Sequence, residues 1–251
     1  NHPWAATYFD DQVSPAEGTS SEEFYQIYHK FGYDQAVSRA SDSLSYVYRL
    51  DEKYWLMMLD SCICEPVHET GGKLSEETVA WMKTQLEEAK KQGVTVIPVS
   101  HHNLLDESTL YPEECTIENT KEVTALLEAY GVPVYLSGHL HLQRIKKHTS
   151  NLNTPGGYGI REIVTSPLPM APCQYSILNW QADGSLSYHT KKVDIAGWAQ
   201  RYGEEDENLL NFDAYADQFL VDVISKQAFK ALQSASKDIK EEMARLYADM
   251  N

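Results

Sequence analysis

The sequence has no run of the roughly 18–20 consecutive apolar residues that a membrane-spanning helix needs. It also has no Cys-x-x-Cys pair, no His-Glu-x-x-His and no repeat of solenoid period. These absences set aside a transmembrane helix, a cysteine-rich structural zinc site, a zincin-type amide hydrolase and a repeat array. Positive charge is scarce: 21 Lys and Arg against 37 Asp and Glu leave a formal charge of −16. No nucleic-acid partner is expected, because neutralising phosphates takes clustered Lys and Arg. An acidic chain draws a phosphate-bearing small molecule most simply through bound cations. The first residues, "NHPWAATYFDD", show no charged n-region, no apolar h-region and no initiating Met. Upstream sequence and compartment therefore stay open, with extracytoplasmic preferred to cytoplasmic.

Cysteine is also sparse. Cys62 and Cys64 fall on one side of an apparent strand and are expected to pack as small apolar groups, while Cys115 and Cys173 leave a disulfide open. What is abundant is apolar: 42% of the 251 residues, 11% of them aromatic, enough for one large domain or a domain with a helical appendage.

The order of these residues carries a repeated grammar. "SYVYRLDEKYWLMMLDSCICEP" reads as two strands joined at Asp51-Glu52, the second ending near Asp60. "LSEETVAWMKTQLEEAKKQG" predicts a helix with Ser75 as N-cap, Val79, Met82 and Leu86 on one face and Gly93 as its stop. The strand "VTVIPVSHH" follows. "NTKEVTALLEAYG" and "VPVYLSGHLH" repeat the series of helix, glycine, strand and histidines. Alternating helices and strands imply a mainly parallel or mixed sheet, whose binding sites gather outside the carboxyl ends of its strands. His101, His102, His139 and His141 all fall at such ends.

Residues i and i+2 of an extended segment project to one side, about 6.5–7 Å apart at Cα. His139 and His141 are therefore expected to face one spot, with Gly138 allowing the close backbone there. Converging neutral imidazoles suit a borderline divalent metal such as Zn, Mn, Fe, Co or Ni, and without Cys-rich closure a catalytic site is the better inference. Further on, "GIREIVTSPL" reads as a strand. "QYSILNWQADGSLSYHTKKV" reads as a hairpin across Asp183-Gly184 carrying an exposed His189. From about Ile195 the period becomes helical, predicting two or three helices with Phe219, Val223 and Phe229 as core contacts.

"VSHHNLL" and "LSGHLHLQRI" together resemble the last two motifs of the calcineurin-like metallophosphoesterase superfamily. "HPWAATYFDDQ", "YWLMMLDSCICEP" and "WAQRYGEEDENLLNF" extend the likeness, and the chain resembles a bacterial subgroup with a helical C-terminal extension. The resemblance implies an α/β fold: part of a metallophosphoesterase-type β-sandwich flanked by helices over 1–194, and a helical extension over 195–251. It implies two divalent metal ions, with His101 and His139 as ligands of the second and His141 of the first, and His102 beside the site in contact with substrate. The substrate would be a small-molecule phosphomonoester or phosphodiester, selected by the loops at 103–119 and 146–160 and by the helical extension. The family's Asp-x-His, Gly-Asp and Gly-Asn-His-Asp motifs are missing; His2 in "NHP" is a candidate remnant of the last. The resemblance then implies that a missing amino-terminal segment of the same protein completes the site, and that these 251 residues alone are inactive. The competing reading is a non-catalytic binding or scaffold module that keeps the fold.

Overall fold

A computed structural model describes residues 6–9, 12–16, 18–64, 68–106, 114–148, 159–181 and 183–234; His2 lies outside them. The chain divides into two compact units, Asn1–Ser166 and Pro167–Asn251.

The first unit begins with the paired strands β1 (Ala6–Phe9) and β2 (Gln12–Pro15) and helix α1 (Ser21–Tyr28). None of the three is signalled by strong periodicity. Its centre is a seven-stranded sheet. The strands are β3 (Ala36–Arg39), β4 (Tyr46–Arg49), β5 (Tyr54–Met58), β6 (Thr95–Val99), β7 (Val134–Ser137), β8 (Arg144–Lys147) and β9 (Arg161–Val164). They lie in the order β3-β4-β5-β6-β7-β9-β8. β5, β6, β7 and β9 run parallel, and the strands outside them pair antiparallel. The β4–β5 hairpin closes where expected, with the Asp51 carboxylate accepting from the backbone N–H groups of Lys53 and Tyr54.

Helix α2 (Glu76–Gln92) starts where Ser75 Oγ accepts from Thr78 N at 2.9 Å and stops at Gly93, whose φ of 69° suits a residue without Cβ. Val79, Met82, Leu86 and Ala89 form its buried stripe. Together with Val123 and Leu127 of helix α3 (Thr120–Ala129) they join Val47, Trp55, Met57, Val96 and Tyr135 of the sheet in one core. Each buried Leu of this kind stabilises by about 1.5–3 kcal/mol.

Pro98 sits in the central strand β6, where a missing N–H is costly. Thr95 N bonds Lys53 O and Leu59 N bonds Val99 O, so the odd-numbered residues serve β5; Ser100 N bonds Leu136 O, so the even-numbered ones serve β7. Pro98 therefore lacks its donor on the β7 side, where the register is reduced to Val99 opposite Leu136.

The second unit holds β10 (Gln174–Trp180) paired antiparallel with β11 (Leu186–Lys192). Asp183 Oδ1 accepts from Ser185 N at the turn, and His189 is exposed, as the sequence predicts. Helices α4 (Ile195–Tyr202), α5 (Glu207–Leu210) and α6 (Phe212–Ser234) follow and contact one another. The core assignment within α6 needs correction: Phe219 and Phe229 are exposed and Val223 is half-buried. The shielded stripe is Phe212, Ala216, Leu220 and Val223, and Phe219 and Phe229 lie off that line.

The architecture is thus α/β, a mixed sheet flanked by helices, with a helical carboxyl-terminal part. Cys62 pairs with Gly72 in an isolated bridge rather than lying in a strand, and Cys62, Cys115 and Cys173 are free thiols.

Candidate metal centre

β6 and β7 are parallel neighbours, so their carboxyl ends open at the same edge. The ladder continues beyond them: Ser100 N donates to Leu136 O and Gly138 N donates to His101 O, each at 3.0 Å. This pinning brings His101 Nε2 to 3.1 Å from His139 Nδ1, with the rings nearly perpendicular at 83°. His101, His102 and His139 each offer a nitrogen within 4.8 Å of the others. His141 is exposed and stands outside this trio.

The two adjacent histidines have opposite settings. His101 is exposed and His102 is completely buried. His102 Nε2 lies 2.9 Å from Thr70 O and Nδ1 lies 2.8 Å from Ser61 Oγ. A carbonyl only accepts, so Nε2 carries the proton and Nδ1 accepts from the Ser61 hydroxyl. Ser61 Oγ in turn accepts from His102 N. Gly72 packs so closely that a Cβ there would lie 2.3 Å from His102 Cγ. With both nitrogens occupied and no exposed surface, His102 is an anchor for the loop. The substrate contact expected of it does not fit this placement.

The second loop departs from an extended chain. β7 ends at Ser137, and His139 and His141 have φ of 63° and 55°. Leu140 N donates back to Gly138 O at 2.7 Å, a three-residue turn about His139. The expectation that the pair faces one spot as alternating strand residues is therefore corrected: a turn, not a pleat, aims His139 at His101. Gly138 is also not the strained position. A Cβ there would meet His101 O at 3.8 Å, an ordinary contact. The left-handed cost, about 1–2 kcal/mol per residue, falls on the histidines, as backbone strain often does at functional sites.

Burial, followed by the nearness of the other histidines, pushes His101 down to about 4 and His139 down to about 4. A backbone hydrogen bond at Glu114 opposes the shift at His139. Burial also lowers His102, against its bonds to Thr70 and Ser61. His101 and His139 are therefore neutral donors near pH 7. Two nitrogens about 2.1 Å from one ion stand about 3.0 Å apart at a right angle and about 3.4 Å at a tetrahedral angle. The observed 3.1 Å falls between, so the pair fits one divalent ion as it stands.

His101 also borders a cleft of about 650 Å³ lined by Phe24, Tyr28, Tyr33, Tyr46 and Asp60. Burial, with Tyr46 and Asp60 nearby, pushes Tyr33 up to about 12. The Asp60 carboxylate accepts from Leu44 N and Cys62 N, each at 3.2 Å, and lies outside the histidine trio.

Several supporting residues were not singled out by the sequence. Asn103 Nδ2 donates to Ser137 Oγ and Gly138 O. Tyr135 OH donates to Ser100 Oγ, which donates to His102 O. Glu162, fully buried on β9, accepts from both histidine loops. Its one signal was an acid inside the apolar run "REIV". Residues 103–105, placed by sequence in a substrate loop, are buried instead; 107–113 and 149–158 lie outside the described residues.

A family model for the C-terminal domain of cyclic nucleotide phosphodiesterase matches residues 194–251, of which 235–251 lie outside the described residues. No curated protein matches the chain. Among solved structures, the chain is similar to a dimetal phosphatase from Danio rerio at 14% identity and a TM-score of 0.39. The likeness covers 51% of this chain and 52% of that one, so the chain spans about half of that protein's length.

Proposed function

We propose that the chain is the carboxyl-terminal part of a metal-dependent phosphoester hydrolase, with residues 1–194 an incomplete metallophosphoesterase domain and 195–251 a helical extension. The observation that carries the reading is the 3.1 Å approach of His101 Nε2 to His139 Nδ1, two neutral imidazoles from the ends of neighbouring parallel strands. The family match starting at residue 194, one residue before α4, supports the division and the phosphodiester class. His101 and His139 would hold one ion, and His141 the other from the exposed side of the loop. Divalent ions bound there supply positive charge to a phosphoryl group and activate water. The chain's residues orient: His102 fixes the loop that aims His101, the turn at Gly138–Leu140 aims His139, and the cleft beside His101 has room for the organic part of a small phosphoester.

Three histidines supply no bridging carboxylate, and two cations about 4 Å apart repel strongly without one. The proposal assigns those carboxylates to an amino-terminal segment of the same protein carrying the absent motifs. The test is hydrolysis of bis(4-nitrophenyl) phosphate with manganese by residues 1–251, alone and co-purified with that segment. Little turnover alone and metal-dependent turnover in the complex, abolished by His139→Ala, is the expected result. Turnover unaffected by His139→Ala would overturn the assignment. A scaffold module instead would give no turnover in either case.

A further inference from the structure

Both histidine loops are held by one carboxylate from a third strand. Glu162 lies on β9, the neighbour of β7, and is fully buried. Its Oε1 accepts from Leu104 N at 2.7 Å and from Ser137 Oγ at 2.6 Å; its Oε2 accepts from Leu105 N at 2.6 Å. Leu104 and Leu105 follow the His101-His102 pair, and Ser137 precedes Gly138 and His139. Asn103 Nδ2 closes the link by donating to Ser137 Oγ at 2.9 Å and to Gly138 O at 3.2 Å. A carboxylate is costly to bury and is retained here by three donors. Those donors belong to the two segments whose relative position sets the distance between His101 and His139.

The geometry points to Glu162 as a positioning residue: its carboxylate clamps the two loops so that the His101 and His139 nitrogens stay within reach of one ion. This rests on the metal reading above. Gln at this position must turn its NH₂ group either toward Leu105 N–H or toward Leu104 N–H and Ser137. A donor then faces a donor in either orientation, and the clamp opens on one side.

The test compares wild type, Glu162→Gln, Ser137→Ala and Leu86→Ala, the last a core variant that lowers stability away from the loops. Long-range ¹H–¹⁵N spectra of the histidine rings and amide exchange at Leu104 and Leu105 are read without metal, and Co²⁺ affinity is read by absorption titration. Glu162→Gln should shift the ring nitrogens of both His101 and His139, expose the two amides, and weaken Co²⁺ binding by about 10–100-fold, the range seen when residues behind a metal ligand are changed. Ser137→Ala should shift His139 and leave the two amides protected, and it carries the test if Glu162→Gln does not fold. Leu86→Ala should leave the rings unmoved. Folded Glu162→Gln protein with unshifted rings and undiminished Co²⁺ affinity would overturn the proposal, as would Ser137→Ala with an unshifted His139. If wild type itself binds no Co²⁺, the metal reading fails, and the ring shifts alone decide whether Glu162 positions the loops.

Discussion

After β6 the chain places two adjacent histidines in opposite environments, His101 exposed and His102 buried with both nitrogens bonded. After β7 it places two spaced histidines in left-handed turns, only the first beside His101. Both loops are written with the same series of helix, glycine, strand and histidines. One achieves rigidity by burying a histidine as an anchor. The other achieves it by accepting backbone strain and a hydrogen bond to Glu162 through Ser137. A shared pattern therefore fixes where the histidines emerge, while their neighbours decide which of them stays available.

The comparison breaks most visibly in stability. His102→Ala leaves a cavity and strands the Ser61 hydroxyl and the Thr70 carbonyl, so it should cost about 2–4 kcal/mol in urea unfolding. Gly72→Ala forces a Cβ into the same ring and should cost about 1–3 kcal/mol. His139→Ala removes a partly exposed ring and should stay within about 1 kcal/mol of wild type. Equal losses for His102→Ala and His139→Ala would erase the distinction between anchor and donor.

The next effect lies in pH. His101 and His139 are held down to about 4 in the folded chain, against 6.5 as the ordinary value. Between those limits the unfolded chain binds protons that the folded chain does not, so stability is fully present above about pH 6.5 and falls as pH drops toward about 4. Solvent contact at His101 makes the slope shallower than the shifts alone imply. Ring-proton NMR of the metal-free protein should give midpoints near 4 for both; midpoints near 6.5 would mean the rings are neither desolvated nor coupled.

The smallest effect is at Gly138. A Cβ there meets only ordinary contacts, so Gly138→Ala should change stability by less than about 0.5 kcal/mol. A loss near 2 kcal/mol would return the strain from His139 to the glycine.

The strands and helices that carry the histidines were legible because their signals are local. Ser75 and Gly93 cap α2, apolar residues recur at helical spacing, and Asp51 and Asp183 mark tight turns. The convergence of His101 with His139 was legible too, since parallel neighbours share an open edge. The anchoring of His102 was not, because Ser61 and Thr70 lie 41 and 32 residues away. Neither was the left-handed turn: sequence gives Gly138 the conformational freedom, whereas the hydrogen bond from Gly138 N to His101 O fixes the glycine and passes the positive φ to His139. Within α6, helical spacing was visible but the buried side of it was not, so Phe219 and Phe229 were placed inward although they are exposed.

The account's central claim is that His101 and His139 form the donor pair, and the most direct measurement is a Co²⁺ absorption titration of residues 1–251 at pH 7 with His101→Ala, His139→Ala and His141→Ala in parallel. The predicted result is a Co²⁺-dependent visible band in wild type, lost in His101→Ala and His139→Ala and weakened at most a few-fold in His141→Ala. A band that survives either of the first two substitutions, or no band in wild type, would contradict it.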